Sequence, residues 1–97
     1  MRIIARKTII DFYTLHPDSK NALEAWFFEA KQAKWNSFNC IKDRYRSASL
    51  IAGNRVIFNI CGNKYRLIVK IHYTVGLIYI RFIGTHKEYD KINAAEV

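Results

Sequence analysis

The chain has 97 residues, 51% of them apolar and 14% aromatic, and a formal net charge of +8. That is one domain's worth of chain with enough apolar side chains for one core, and it excludes a disordered or multidomain protein. Cys40 and Cys61 are too few and too far apart for a disulfide framework or a Cys-rich zinc site, so both are expected as free thiols in a reducing compartment.

The charge is uneven. Residues 1–33 hold five basic and four acidic side chains, whereas residues 34–97 hold eleven basic and four acidic, so the positive charge sits in the C-terminal two-thirds. That asymmetry points to a polyanionic partner: nucleic acid, an acidic protein or, less favoured, an anionic membrane surface. The opening "MRIIARKTII" is interrupted by Arg6 and Lys7 and does not read as a signal peptide. The apolar region Leu67 to Ile83 is broken by Lys70, His72 and Arg81 and does not read as a membrane span, so a cytoplasmic protein is expected.

In chain order, "RIIA" at 2–5 reads as a short first strand. Ile9, Phe12, Tyr13 and His16 recur at helical spacing and predict a helix from about Lys7 to Leu15. "HPDSKNALEAWFFEAKQA" reads as a second helix, with Pro17 at its first position, Asp18 at the positive end of its dipole and Leu23, Trp26, Phe27 and Ala30 as its apolar face. The two are expected to form an antiparallel hairpin broken at His16-Pro17, with His16 structural. Trp35, Phe38 and Ile41 are three apart and allow a short helix, followed by a Ser-rich basic connection up to residue 53.

From Asn54 onward the period changes to two. "RVIFNI", "KYRLIVKIHY" and "LIYIRFI" read as three consecutive antiparallel strands, turned at Gly62-Asn63, which suits a type II′ turn, and at Thr74-Val75-Gly76. The expected fold is α+β: an N-terminal helical hairpin packed on a small antiparallel sheet, with the first strand joining its edge and a short helix at the C-terminus.

Strand periodicity then sorts side chains by face. Tyr65, Leu67, Val69, Ile71 and Tyr73 point to the core, and Lys64, Arg66, Ile68, Lys70 and His72 point away. Pairing His72 with Leu77 sets Ile68 opposite Arg81 and Arg66 opposite Ile83, adds Arg81 to the basic face, and brings His86 and Lys87 near Lys64 and Arg66. A one-residue slip would reverse these assignments.

The stretch "THKEYDKI" at 85–92 follows the last strand. Thr85-x-x-Glu88 is a capping box, which places His86, Lys87 and Tyr89 in the first turn of a helix. As structure alone, the box accounts for Thr85 and Glu88 but not for the other three. As chemistry, a helix N-terminus beside arginine is a phosphate site, and a histidine there exchanges protons near neutral pH. These are the parts that cleave RNA without a metal or other cofactor: a base for the 2′-hydroxyl, cations for the phosphorane and an acid for the leaving oxygen. No His-x-x-x-His motif or carboxylate pair occurs at ligand spacing. By composition alone a non-catalytic RNA-binding face, with Tyr45, Tyr65 and Tyr79 interleaved among cations, ranks above catalysis, and a seat for an acidic partner protein is a third reading.

The segments "HPDSKNALEAWFFEAKQAKWNSF" and "GNRVIFNICGNKYRLIVKIHYTVGLIYIRFIGTHKEYDKI", in that order, resemble the HigB-type toxins of type II toxin–antitoxin systems, within the RelE-like superfamily. The "NRVIFNI-x-GN-x-YRL" hairpin and "YIRF-x-GTHKEYD" are the most specific parts. The resemblance implies a ribosome-dependent mRNA endonuclease (an mRNA interferase) that acts in the ribosomal A site through the 2′-hydroxyl, contacts rRNA, inhibits translation and is neutralised by a cognate helix-turn-helix antitoxin of the HigA type. It implies Arg66 as the phosphate-binding arginine, His86 and Lys87 as the basic catalytic groups after the strand, and Tyr89 as the C-terminal aromatic beside the cleaved nucleotide. Lys64, Lys70, Arg81 and Lys91 follow as supporting RNA contacts.

Overall fold

The computed structural model describes residues 1–97. Its elements run β1 (Arg2–Ile4), α1 (Arg6–Leu15), a 3₁₀ turn (Pro17–Ser19), α2 (Lys20–Gln32), α3 (Phe38–Arg44), β2 (Ser49–Ile51), β3 (Arg55–Ile60), β4 (Tyr65–His72), β5 (Leu77–Thr85) and α4 (His86–Asp90). The five strands form one sheet in the order β1-β5-β4-β3-β2. β1 runs parallel to β5 and the other neighbours pair antiparallel, so the sheet is mixed. The α+β architecture expected from the sequence is the one observed.

The core lies between one sheet face and the helices. Ile9 and Phe12 of α1 and Leu23, Trp26, Phe27 and Ala30 of α2 bury against Val56, Phe58, Leu67, Val69, Ile71, Ile78 and Ile80. The helical spacing of the first set and the period-two spacing of the second are what make these faces meet. Trp26, Trp35 and Tyr45 all pack on the Phe58 ring, with centroids 5.4, 6.3 and 5.1 Å away. α1 ends at His16, whose backbone leaves the helical region (φ −126°, ψ 74°), and Pro17 opens the 3₁₀ turn, where its missing N–H costs nothing.

Two hairpins set the register. Ile60 pairs with Tyr65 across the loop Cys61–Lys64, where Cys61 (φ 54°) and Gly62 (φ 67°) are both left-handed and the Lys64 amide donates to the Cys61 carbonyl. Gly62 adopts that conformation without a Cβ clash. The second turn closes through Gly76 (φ 69°) and pairs His72 with Leu77, as expected.

Beyond that pair the expected register fails. β5 bulges between its pairings with Val69 and Ile68: Val69 opposes Ile80, but Ile68 opposes Phe82, leaving Arg81 as the extra residue. Arg66 therefore faces Gly84 rather than Ile83, and Tyr65 faces Thr85. The bulge keeps Ile83 on the core side opposite Leu67 while shifting everything after it by one position.

The outer sheet face is also not simply basic. Ile68 and Ile57 are buried there, opposite one another and next to Phe82, forming an apolar strip across the middle. α4 lies against β4 and β5, and the chain beyond it returns to β3, where Arg55 Nε donates to the Val97 carbonyl at 2.8 Å. No helix is long and apolar enough to cross a membrane.

Candidate functional site at the end of the sheet

α4 begins where β5 ends, and its start is fixed by reciprocal hydrogen bonds. The Glu88 amide donates to Thr85 Oγ1 at 3.3 Å, and the Thr85 amide donates to Glu88 Oε1 at 2.9 Å. These satisfy two of the amides that a helix start leaves orphaned. The Thr85 amide bond holds the Glu88 carboxyl below the usual carboxylate range, with the charges of His16 and Lys91 adding to it against the opposing effect of burial. Gly84 makes room for this turn: a Cβ there would stand 2.7 Å from Phe82 Cζ and 3.1 Å from Glu88 Cβ.

With α4 so placed, three of the expected site residues meet. Arg66 Nη2 lies 3.4 Å from His86 Nε2, and Arg66 Cζ sits over the Tyr89 ring, 4.8 Å from its centroid. His86 and Tyr89 are three apart on α4 and share its inward side. A guanidinium only donates, so the Arg66–His86 contact is a hydrogen bond when Nε2 is bare, in the neutral Nδ1–H tautomer. The Tyr89 ring fixes the guanidinium plane by cation–π stacking, worth roughly 0.5–2 kcal/mol. Arg66 is half-buried, and its Nε has no hydrogen-bond partner. A planar donor fork held flat, with one donor unpartnered, suits a phosphate.

The other expected residues fall elsewhere. Lys87 is exposed, as are Asp90 and Lys91. Lys64 does not join Arg66: it forms an ion pair with Asp18, which also accepts from Tyr65 Oη at 2.7 Å. The bonds from Lys64 and Tyr65 hold the Asp18 carboxyl below its ordinary range. Lys70 shares Arg66's face but stands beyond Ile68, partnered by Arg55 and Tyr79 on the neighbouring strands. Arg81 is exposed at the bulge. Of the three tyrosines that the RNA-binding reading set among the cations, Tyr65 points to the core as strand periodicity predicts, and Tyr45 also turns to the helix side, where it donates to Glu29 at 2.7 Å; Tyr79 stays outside, 5.4 Å from the His72 ring.

α4 spans five residues, too short for a strong dipole, so the anion-binding capacity of the site rests on Arg66 rather than on helix amides. Nowhere do three His, Cys, Asp or Glu side chains converge as a metal site would require.

One neighbour was missed by reading the sequence. Asn59 on β3 pairs directly with Arg66, and its Oδ1 is buried without a partner. The signal was present in the strand register, since an Asn interrupts the apolar run "VIFNI" at the position facing Arg66.

Comparison with known proteins gives one result. A family model for the HigB toxin, described as the RelE-like toxic component of a toxin–antitoxin system, matches residues 19–92, a span that includes Arg66, His86 and Tyr89. A search of curated proteins found no match.

Proposed function

The chain belongs to the HigB toxin family, RelE-like toxic components of toxin–antitoxin systems, and on that premise we propose that it is a ribosome-dependent mRNA endonuclease that cuts through the RNA 2′-hydroxyl without a metal. Membership makes it a toxin with an antitoxin partner; the HigA-type helix-turn-helix identity of that partner is part of the proposal, as is action in the ribosomal A site.

The observation that supports cleavage is the convergence of Arg66, His86 and Tyr89 on one end of the outer face. In the proposed reaction the 2′-oxygen of one nucleotide attacks its own 3′-phosphate. The bond from phosphorus to the 5′-oxygen of the next nucleotide breaks, leaving a 2′,3′-cyclic phosphate and a 5′-hydroxyl. The 2′-hydroxyl gives up one proton and the 5′-oxygen gains one. His86 is the group that exchanges protons: as the Arg66 fork turns to the phosphate it frees His86 Nε2, which takes the 2′ proton, and the imidazolium then gives a proton to the 5′-oxygen. Arg66 offers its fork to the phosphate oxygens as charge builds in the phosphorane. Tyr89 holds the guanidinium plane and offers its other face for a base to stack on. Lys87, Lys91, Lys70 and Arg81, outside this centre, supply long-range attraction to mRNA and rRNA. Lys64 is tied to Asp18 in the hairpin loop, so its charge is largely neutralised within that pair and its part in RNA binding is small.

Induced expression in a bacterium tests this. The wild-type chain is expected to arrest growth, and Arg66→Ala and His86→Ala, shown by circular dichroism to be folded, are expected to relieve the arrest. Full toxicity from both folded variants would overturn the site. Ribosome binding without cleavage would favour the non-catalytic RNA-binding reading.

A further inference from the structure

Four buried side-chain polar atoms have no hydrogen-bond partner: Trp26 Nε1, Tyr73 Oη, Asn59 Oδ1 and Arg66 Nε. Folded proteins pair nearly all such atoms, so two belonging to one cross-strand pair need an explanation. Asn59 and Arg66 oppose each other on the outer face of β3 and β4, which sets their Cβ atoms roughly 4.5–5.5 Å apart. One atom is an acceptor and the other a donor, yet they do not satisfy each other. A group that answers both must donate and accept at once, as a hydroxyl does.

We propose that Asn59 orients the nucleophilic ribose. Both atoms are closed to solvent in the free protein; as the scissile phosphate draws the Arg66 Nη groups toward it, the guanidinium turns off Asn59, and the 2′-hydroxyl of the same nucleotide donates to Asn59 Oδ1 and accepts from Arg66 Nε. This rests on the nuclease reading above and deepens it. Asn59 takes no proton: before attack it holds the hydroxyl so that an O2′ lone pair faces phosphorus, and as the O2′–P bond forms the proton turns from Asn59 Oδ1 to His86 Nε2, which Arg66 has released to bind the phosphate. The amide also explains why no carboxylate stands here. An Asp at 59 would pair with the Arg66 fork and neutralise it before a phosphate arrived. The unpaired atoms are then a local cost in stability held at a working site.

The test uses Asn59→Leu, near in size and without polar atoms, with Asn59→Ala as the variant that cannot overpack. Three quantities are read: thermal midpoint, single-turnover cleavage of mRNA on programmed ribosomes, and affinity for ribosomes whose mRNA carries 2′-deoxyribose at the scissile nucleotide. The expected result is a midpoint unchanged or raised for Asn59→Leu, since an unpaired buried acceptor is removed. Cleavage falls about threefold to tenfold, the range of one missing neutral hydrogen bond. Affinity for the deoxy complex stays within about twofold of wild type, because deoxyribose has no 2′-hydroxyl for Asn59 to accept from. Full cleavage by both variants would overturn the proposal. So would a fall in affinity for the deoxy complex that matches the fall in rate, or a fall in midpoint in both variants, which would make Asn59 structural. A wild-type chain that cleaves no mRNA would overturn the nuclease reading itself, and this inference with it.

Discussion

Thr85→Ala separates positioning from chemistry. Thr85 precedes α4 and makes no hydrogen bond to Arg66 or Tyr89; its side chain only accepts from the Glu88 amide. Removing a threonine cap costs about 0.5–2 kcal/mol. α4 is five residues long and buries none of them fully, so it has little else to hold it. The cost therefore falls on the local equilibrium that docks His86 and Tyr89 against Arg66, and only in part on global unfolding. A loss of one or two kcal/mol lowers the docked population by about 5–30-fold at most. Removing the acid–base group itself costs about 10²–10⁴-fold. Single-turnover cleavage should rank wild type, then Thr85→Ala down by no more than about 30-fold, then His86→Ala well below it. The global midpoint of Thr85→Ala should fall by no more than about 4–8 °C per kcal/mol that reaches the whole fold. Thr85→Ser restores the acceptor oxygen and should recover most of the rate. Full activity in Thr85→Ala, or failure of Thr85→Ser to rescue it, would refute the claim that the cap positions the site.

Other outcomes follow from the same geometry. Arg66→Lys keeps the charge but loses the planar fork and its stacking on Tyr89, so cleavage should stay close to that of Arg66→Ala in the same assay rather than near wild type. Gly84→Ala drives a Cβ into the Phe82 ring and toward Glu88 Cβ; denaturant titration should show a loss of about 1–3 kcal/mol, with cleavage falling as α4 shifts. The Asp18 and Glu88 carboxyls are both held below their ordinary range, so their contribution to stability is present above the unfolded-state values near pH 4 and is lost as pH falls through the lower folded ones. Midpoints measured from pH 6 to pH 2 should decline along that limb, and Asp18→Asn should flatten it.

Where a single physical period governs a segment, the sequence revealed its place. The helical recurrence of Ile9, Phe12, Leu23 and Trp26, and the alternation of Leu67, Val69 and Ile71, predicted elements that the structure contains, because burying an apolar face leaves one consistent arrangement. The capping box was legible for the same reason: its hydrogen bonds are local, and both partners lie within four residues. Features set by neighbours distant in the chain were not. Nothing in "LIYIRFI" marks Arg81 as a bulge; the extra residue is required only because Ile80 and Ile83 must both meet the core. Lys64 read as a member of the basic face because its partner, Asp18, lies far away in sequence on the 3₁₀ turn. β2 was missed because three residues, "SLI", are too few to show alternation and pair only at the edge of β3. At the site, Arg66, His86 and Tyr89 were named from the sequence. Asn59 was not, since its importance comes from what stands across the strand.

The central claim is that this toxin cuts mRNA through the group of side chains around Arg66. Primer extension on mRNA from translating ribosomes, incubated with purified wild-type chain and with folded Arg66→Ala and His86→Ala, measures it directly. The expected result is discrete stops within the coding region at A-site codons, and the loss of these stops in both variants. Intact mRNA with the wild-type chain, or an undiminished cleavage pattern with both variants, would contradict it.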